Sequence, residues 1–306
     1  MPSHSMSVHG NHSAPTPTAP APVSAPSAPP SAPAHGAGHG TPAPTTTRAP
    51  GLEPSAPAHQ GVKARLTMSP ARALPGEPFR LLLRLADAQG RSVDPQIVHE
   101  RPVHLLVISD DLADFQHVHP KREREGSYAL ELTVPRARSY RLFAEYTGPG
   151  AEAPSLASAT VGSAARAAPA ATITGDLAEK LIGNSRVAIR GADGLRSGVE
   201  SMFEVVVRDA KTGERPGDLQ PWLGAPAHGV IVDARLRGLV HAHAVEGGGA
   251  AENRPRAAMQ HALTEGGEAP TFTFHAKFDR PGLHKVWVQF DRGGEVITAP
   301  FVVDVA

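Results

Sequence analysis

From residue 61 onward the chain runs in short stretches rich in Val, Leu, Ile, Phe and Tyr, separated by clusters of Gly, Pro and Asp. Stretches of that length and composition read as β-strands. A first set is predicted at about 62–68, 78–86, 102–109, 114–119, 127–134, 139–147 and 155–161. A second is predicted at about 187–190, 200–208, 227–233, 239–244, 271–278, 283–290 and 295–305. An Ala-rich joint at 163–171 separates them, and one turn of helix is expected around Leu177 to Ile182. Seven strands in about 100 residues bury one face each most economically as a sandwich. The chain is therefore expected to be all-β, with a first β-sandwich at 61–162 and a second at 163–306.

The two sets look like copies of one unit. VHLLVIS (103–109) matches AHGVIVD (227–233), FQHVHP (115–120) matches LVHAHA (239–244), and TVPRARSYRLFAEYTG (133–148) matches KFDRPGLHKVWVQFDRG (277–293). LADAQG (85–90) and RDAKTG (208–213) correspond upstream. The second copy carries a Gly-rich insertion near 245–268, too polar to be core and expected as a loop. A tandem duplication accounts for all of these matches.

Composition changes abruptly before residue 61. Residues 1–60 hold 14 of the 31 prolines and 6 of the 16 histidines, with Arg48 and Glu53 as the sole charged residues. Such a segment cannot bury a core and is expected to be a disordered Pro/Ala/His-rich tail. It reads as a solvated spacer or, through its histidines, as a loose metal-collecting tract. The remainder is electrically neutral, with 29 basic and 29 acidic residues, so the positive footprint of a nucleic-acid-binding protein is missing. No run approaches the roughly 18 apolar residues of a membrane helix, and a soluble protein is expected. Cysteine is absent, which excludes disulfides, thiolate nucleophiles and cysteine-based metal sites. The opening MPSHSMSVHGNHS has no apolar h-region, so no secretion signal is visible in it.

The candidate chemistry lies in histidines that recur at one spacing in both copies. His104, His117 and His119 in the first, and His228, His241 and His243 in the second, each follow H-x12-H-x-H. Residues i and i+2 of a strand share a face, so His117 pairs with His119 and His241 with His243. Twelve intervening residues suffice for a strand, a turn and a return strand, which brings the first histidine opposite the pair. Three neutral imidazoles then make a three-nitrogen site with open positions, suited to Zn(II), Cu(II) or Ni(II), with Cu(II) favoured by the Irving–Williams order. One such metal site per domain is expected. His99, His261, His275 and His284 read as scaffold or surface residues, with His284 the best of them for a fourth ligand. The acids Asp110, Asp111, Asp114 and Asp233 lie in the hairpin turns without matching between copies. With no Ser-His-Asp spacing, phosphate loop or nucleotide fingerprint, no enzyme is expected.

VHLLVISDDLADFQHVHP followed by SYRLFAEY, with AHGVIVDARLRGLVHAHA and GLHKVWVQFDRGGEVITAPFVV in the second copy, resembles bacterial exported β-sandwich domains of the YtkA-like and CopC-like kind. The resemblance implies an immunoglobulin-like fold for both sandwiches and a periplasmic or extracellular location. It also implies copper or other heavy-metal handling through the six histidines named above. The expectation is thus a non-enzymatic protein that binds copper, with zinc as the alternative, for sequestration or delivery. Its partners would be the metal ion and a metal transporter or another envelope protein, with neither nucleic acid nor membrane insertion. The competing reading is a structural or adhesive module in which the histidines merely pack. Affinity for metal should fall below about pH 6.5, where free imidazole protonates.

Overall fold

The computed structural model describes residues 61–162, 172–246, 263 and 271–306. The tail expected at 1–60, the Ala-rich joint and most of the Gly-rich insertion lie outside the described residues.

The first sandwich is built from β1 (Lys63–Ser69), β2 (Phe79–Ala86), β3 (His104–Ser109), β4 (Phe115–Val118), β5 (Lys121–Arg124), β6 (Ser127–Leu132), β7 (Ser139–Tyr146) and β8 (Ser155–Gly162). They form two antiparallel sheets, ordered β1-β2-β6-β5 and β4-β3-β7-β8. This is the immunoglobulin strand order with one added strand, β4, beside β3. Strand β2 shows why the sequence folds this way: Phe79, Leu81, Leu83 and Leu85 point inward while Arg80 and Arg84 face out. They meet Leu105, Val107, Tyr128 and Leu142 in the core. Tyr140, at the start of β7, is fully buried, and its hydroxyl donates to the Asp114 carboxylate (2.7 Å) and accepts from the Arg136 backbone N–H (3.2 Å). A tyrosine tied back to the preceding corner is a recurrent immunoglobulin-fold device.

The second sandwich comprises β9 (Lys180–Ile182), β10 (Ser185–Arg190), β11 (Glu200–Asp209), β12 (Leu219–Gln220), β13 (His228–Asp233), β14 (Leu239–His243), β15 (Val245–Glu246), β16 (Thr271–Lys277), β17 (Gly282–Arg292) and β18 (Glu295–Val305). One sheet is ordered β15-β16-β11-β10-β9. The other is ordered β12-β17-β13-β14, with β18 on the opposite edge of β17. The helical turn expected around Leu177 to Ile182 is not formed: Lys180–Ile182 pair with Ser185–Val187, because the Gly183 turn returns the chain as a hairpin. Strand β5 escaped the sequence pattern. Its four residues, KRER, are all exposed, so this edge strand carries no apolar signal.

Strands β3 and β13 are buried along their whole length, on both faces. Leu105 and Val107 point into the first core and Ile231 into the second. Their neighbours Leu106, Ile108, Val230 and Val232 face the other way and join Leu112, Phe143 and Trp287 in a third apolar cluster. The outer face of one β3-containing sheet therefore packs against the outer face of its counterpart. Phe115 stacks on Trp287 across this layer, ring centroids 4.5 Å apart and nearly parallel. Truncating Trp287 to Ala leaves a large void in a buried layer and should cost about 3–5 kcal/mol in urea denaturation. A loss under about 1 kcal/mol would mean that the two sheets do not depend on each other.

Candidate metal centre

The apolar layer between the sheets ends in histidine. His104 continues the outward face of β3 beyond Leu106 and Ile108, and His228 continues that of β13 beyond Val230 and Val232. On the adjacent strands the register sets Phe115 beside Ile108 and His117 beside Leu106. In the second copy it sets His241 beside Val230 and His243 directly opposite His228. The expected hairpin return is present in both copies. The two triplets do not stand apart, however, one per domain. Because the sheets that carry them face each other, all six imidazoles form one cluster between the sandwiches. The His117 and His241 ring centroids are 5.0 Å apart and those of His104 and His241 are 5.1 Å apart.

Two sets of three ring nitrogens fall within 4.8 Å of one another: His104, His117 and His241, and His228, His241 and His243. His241 belongs to both. The first set thus draws its third member from the other domain. His119 stands close by, its ring 4.9 Å from that of His117 and 5.0 Å from that of His104. The Nε2 atoms of His119 and His243 are buried and have no hydrogen-bond partner among the described residues.

The other nitrogens are committed to partners outside the rings, which fixes the tautomers of His104, His228 and His241. His104 Nε2–H donates to the Val98 carbonyl (3.2 Å), and His228 Nε2–H donates to the Trp222 carbonyl (2.9 Å). Each carbonyl lies six residues upstream, in a tight turn closed by paired backbone hydrogen bonds, Val98 with Arg101 and Trp222 with Ala225. Non-glycine residues hold positive φ in both turns, His99 and Glu100 in one and Leu223 in the other, a costly conformation that aims the carbonyl at the ring. His117 Nδ1–H donates to Gln289 Oε1 (2.9 Å), and His241 Nδ1–H to Glu145 Oε2 (2.6 Å). These bonds are reciprocal across the domain boundary. Glu145 lies opposite His104 on β7, and Gln289 lies opposite His228 on β17.

A carbonyl oxygen only accepts, so the Nδ1 atoms of His104 and His228 are left as lone pairs. They face His117 Nε2 at 3.1 Å and His241 Nε2 at 3.2 Å. With their Nδ1–H groups donated, His117 and His241 present lone pairs as well. Two lone pairs at that distance repel unless a cation lies between them. Nitrogens bound at about 2.0–2.1 Å to one metal ion are about 2.9 Å apart at a right angle and about 3.3 Å apart at a tetrahedral angle. The observed separations fall in that interval.

Burial lowers the proton affinity of several of these rings, and neighbouring imidazoles lower it further. His104 is held at about 4 and His119 at about 3, and His117, His228 and His243 are pushed below the ordinary range. The value of 6.5 assumed from sequence therefore does not apply here, and protons compete with a metal at these nitrogens only at lower pH. Glu145 is pushed up by burial, but its hydrogen bond with His241 outweighs this and holds the carboxyl below its ordinary value.

Sequence reasoning missed Glu145, Gln289, Val98, Trp222 and His99. The first two were legible in principle as matching polar residues within apolar strands, SYRLFAEY and LHKVWVQF. His99, read as scaffold or surface, stacks on the His243 ring with centroids 3.5 Å apart. Trp222 packs edge-on to His228 at 4.9 Å and His117 at 5.4 Å. His284, the favoured fourth ligand, sits opposite Asp233 at the far end of β13, its Nδ1–H bonded to the Gly282 carbonyl, and takes no part. His275 lies on the surface near Glu200. His261 is outside the described residues. The acids of the hairpin turns hold the turns: Asp111 pairs with Arg136 and Asp233 with Arg237.

A family profile matches the chain twice, over residues 58–161 and 180–306, and its description is a domain of unknown function, DUF8832. The chain belongs to the DUF8832 family. The two matched segments coincide with the two sandwiches and so with the duplication. No match is found among curated proteins. Among solved structures, the Escherichia coli adhesin FdeC is 16% identical with a TM-score of 0.24, covering 79% of this chain and 64% of that one. Yersinia pseudotuberculosis InvD is 13% identical with a TM-score of 0.23, over 79% of this chain and 57% of that one. The chain thus spans less than two thirds of either, and no function passes between chains at that likeness.

The metal-free protein should lose stability as pH falls. For a ring whose folded value lies below the unfolded 6.5, the unfolded chain takes up the proton first. The stabilisation is complete above about pH 6.5 and is lost as pH drops toward the folded value. For His104 alone the loss at pH 5 is about 2 kcal/mol. Urea denaturation at pH 7.5 and pH 5 measures it, and His104→Gln should flatten the dependence. Equal stability at both pH values would show that these rings are not buried neutral.

Proposed function

We propose that the protein binds a first-row transition-metal ion between its two sandwiches, without catalysis, to sequester or deliver it. Copper is the first choice by the Irving–Williams order and zinc the second. The observation that carries this reading is the pair His228 Nδ1 and His241 Nε2, 3.2 Å apart, both left as acceptors by the Trp222 carbonyl and the Glu145 carboxylate. His243, with its buried and unpartnered Nε2, completes three nitrogens. A carboxylate behind a ligating histidine orients the ring and raises its basicity, which favours metal binding. A periplasmic or extracellular location goes with this reading through the resemblance to exported YtkA-like and CopC-like domains, which also makes a transporter or another envelope protein the natural exchange partner.

The competing occupant of the same position is a proton, with His241 as an imidazolium paired to Glu145. The cluster is then a structural lock between sandwiches, as in the adhesive reading. Titration of the metal-stripped chain, its six tail histidines replaced by Ser, with Cu(II) and Zn(II) separates the two. Sub-micromolar uptake should quench or shift Trp222 fluorescence and release protons, and His241→Gln should weaken it at least tenfold. Absence of uptake, with stability lowered by His241→Gln, would establish the structural lock instead.

A further inference from the structure

Resting on that reading, we infer that the cluster is a two-ion centre that fills in a fixed order: first at His228, His241 and His243, then at His104, His117 and His119. The number of ions follows from counting acceptors. The lone-pair conflict occurs twice, at 3.1 Å in the first domain and 3.2 Å in the second, and each half has its own buried, unpartnered Nε2, on His119 and His243. One ion relieves one conflict and leaves the other to a second ion or, in the first domain, to a turn of the Gln289 amide that bonds His117 to His104. His241 Nε2 faces His228, and its Nδ1–H is given to Glu145, so it serves one ion only. With His241 committed to its own domain, the first pair completes its set with His119. A ring nitrogen of His241 lies within 4.8 Å of those of both His104 and His117, so the two ions are close neighbours.

The order follows from a chemical difference between the halves. Behind His241 stands a carboxylate, which only accepts, so that ring must donate from Nδ1 and keep Nε2 bare. Behind His117 stands the Gln289 amide, which presents oxygen or NH2 by turning over. In the turned state the amide donates to His117 Nδ1, and His117 Nε2–H donates to His104. The first domain thus has a metal-free arrangement in which the His104 and His117 pair is hydrogen-bonded, and the second domain lacks one with neutral rings. Thr298 tolerates either amide orientation, since its hydroxyl, now accepting from Gln289 Nε2 at 3.0 Å, can donate instead. The second domain, with the greater need and the added negative charge of Glu145, takes the first ion.

Electron paramagnetic resonance during Cu(II) titration of the full chain, with the tail histidines replaced by Ser, tests both parts. One equivalent should give a single isolated Cu(II) spectrum integrating to one spin. The second equivalent should bring the integrated intensity below two spins, through coupling between adjacent ions. Glu145→Gln should weaken the first ion roughly 10–100-fold and mix the first-equivalent spectra. If that variant does not fold, Gln289→Glu carries the test, and it should tighten the second ion and narrow the gap between the two affinities. Saturation at one equivalent, two uncoupled spins, or an unchanged gap between the two affinities in either variant would overturn the inference while leaving the metal reading intact. No uptake at all would remove both.

Discussion

Leu106, Ile108 and Phe143 of one sandwich are buried against Val230, Val232 and Trp287 of the other, and this dry layer places the imidazoles beside each other. Sandwiches ordinarily leave the outer faces of their sheets to water. Here the two sheets that contain β3 and β13 cover each other, so both strands are buried on both sides and read as unbroken apolar runs. The histidines occupy one end of the layer, on the same face and in the same alternation as the apolar residues. The layer therefore does two things for them: it removes water, which lowers the proton affinity of His104, His117, His119, His228 and His243, and it brings nitrogens from two domains into one volume.

What the layer brings together, the backbone orients. Each first histidine is pinned by a carbonyl from a turn that immediately precedes its own strand, with non-glycine residues in left-handed conformation to aim it. Each middle histidine is pinned by a side chain of the opposite domain. The tautomers of His104, His228 and His241 are thus set by groups outside the rings, and the nitrogens left over all point inward. This is a more restrictive arrangement than spacing alone describes. A histidine that merely packs is satisfied by one partner on each nitrogen, whereas here the inward nitrogens have only each other.

Much of the fold was legible because strand length and alternation are local properties. The run FRLLLRLA can turn only Phe79, Leu81, Leu83 and Leu85 toward a core, and the repeated H-x12-H-x-H fixes the hairpins that carry the histidines. The charged edge strand β5 escaped because it has no apolar face to betray it. The six histidines were visible for the same local reason. Their grouping was not, since nothing in a strand pattern says that two outer sheet faces will meet. The unbroken apolar runs VHLLVIS and HGVIVD held the hint, as each buries more faces than one core can account for. Glu145 and Gln289 stayed hidden because their role depends on a contact across a sequence separation of 96 and 172 residues.

The duplication itself explains why the centre can be unequal. Two identical copies meeting face to face would give each middle histidine the same partner, and neither half would differ from the other. Glutamate in one copy and glutamine in the other break that equality with little change of size. The change is small in volume but decisive in hydrogen-bond logic: the carboxylate has no donor to offer, and the amide has both donor and acceptor. Because each side chain acts on the histidine of the opposite domain, the difference in the first sandwich is felt in the second. The domain that holds the more demanding set of nitrogens therefore depends on its neighbour for the charge that makes it so, and docking of the sandwiches and tuning of the site are one event.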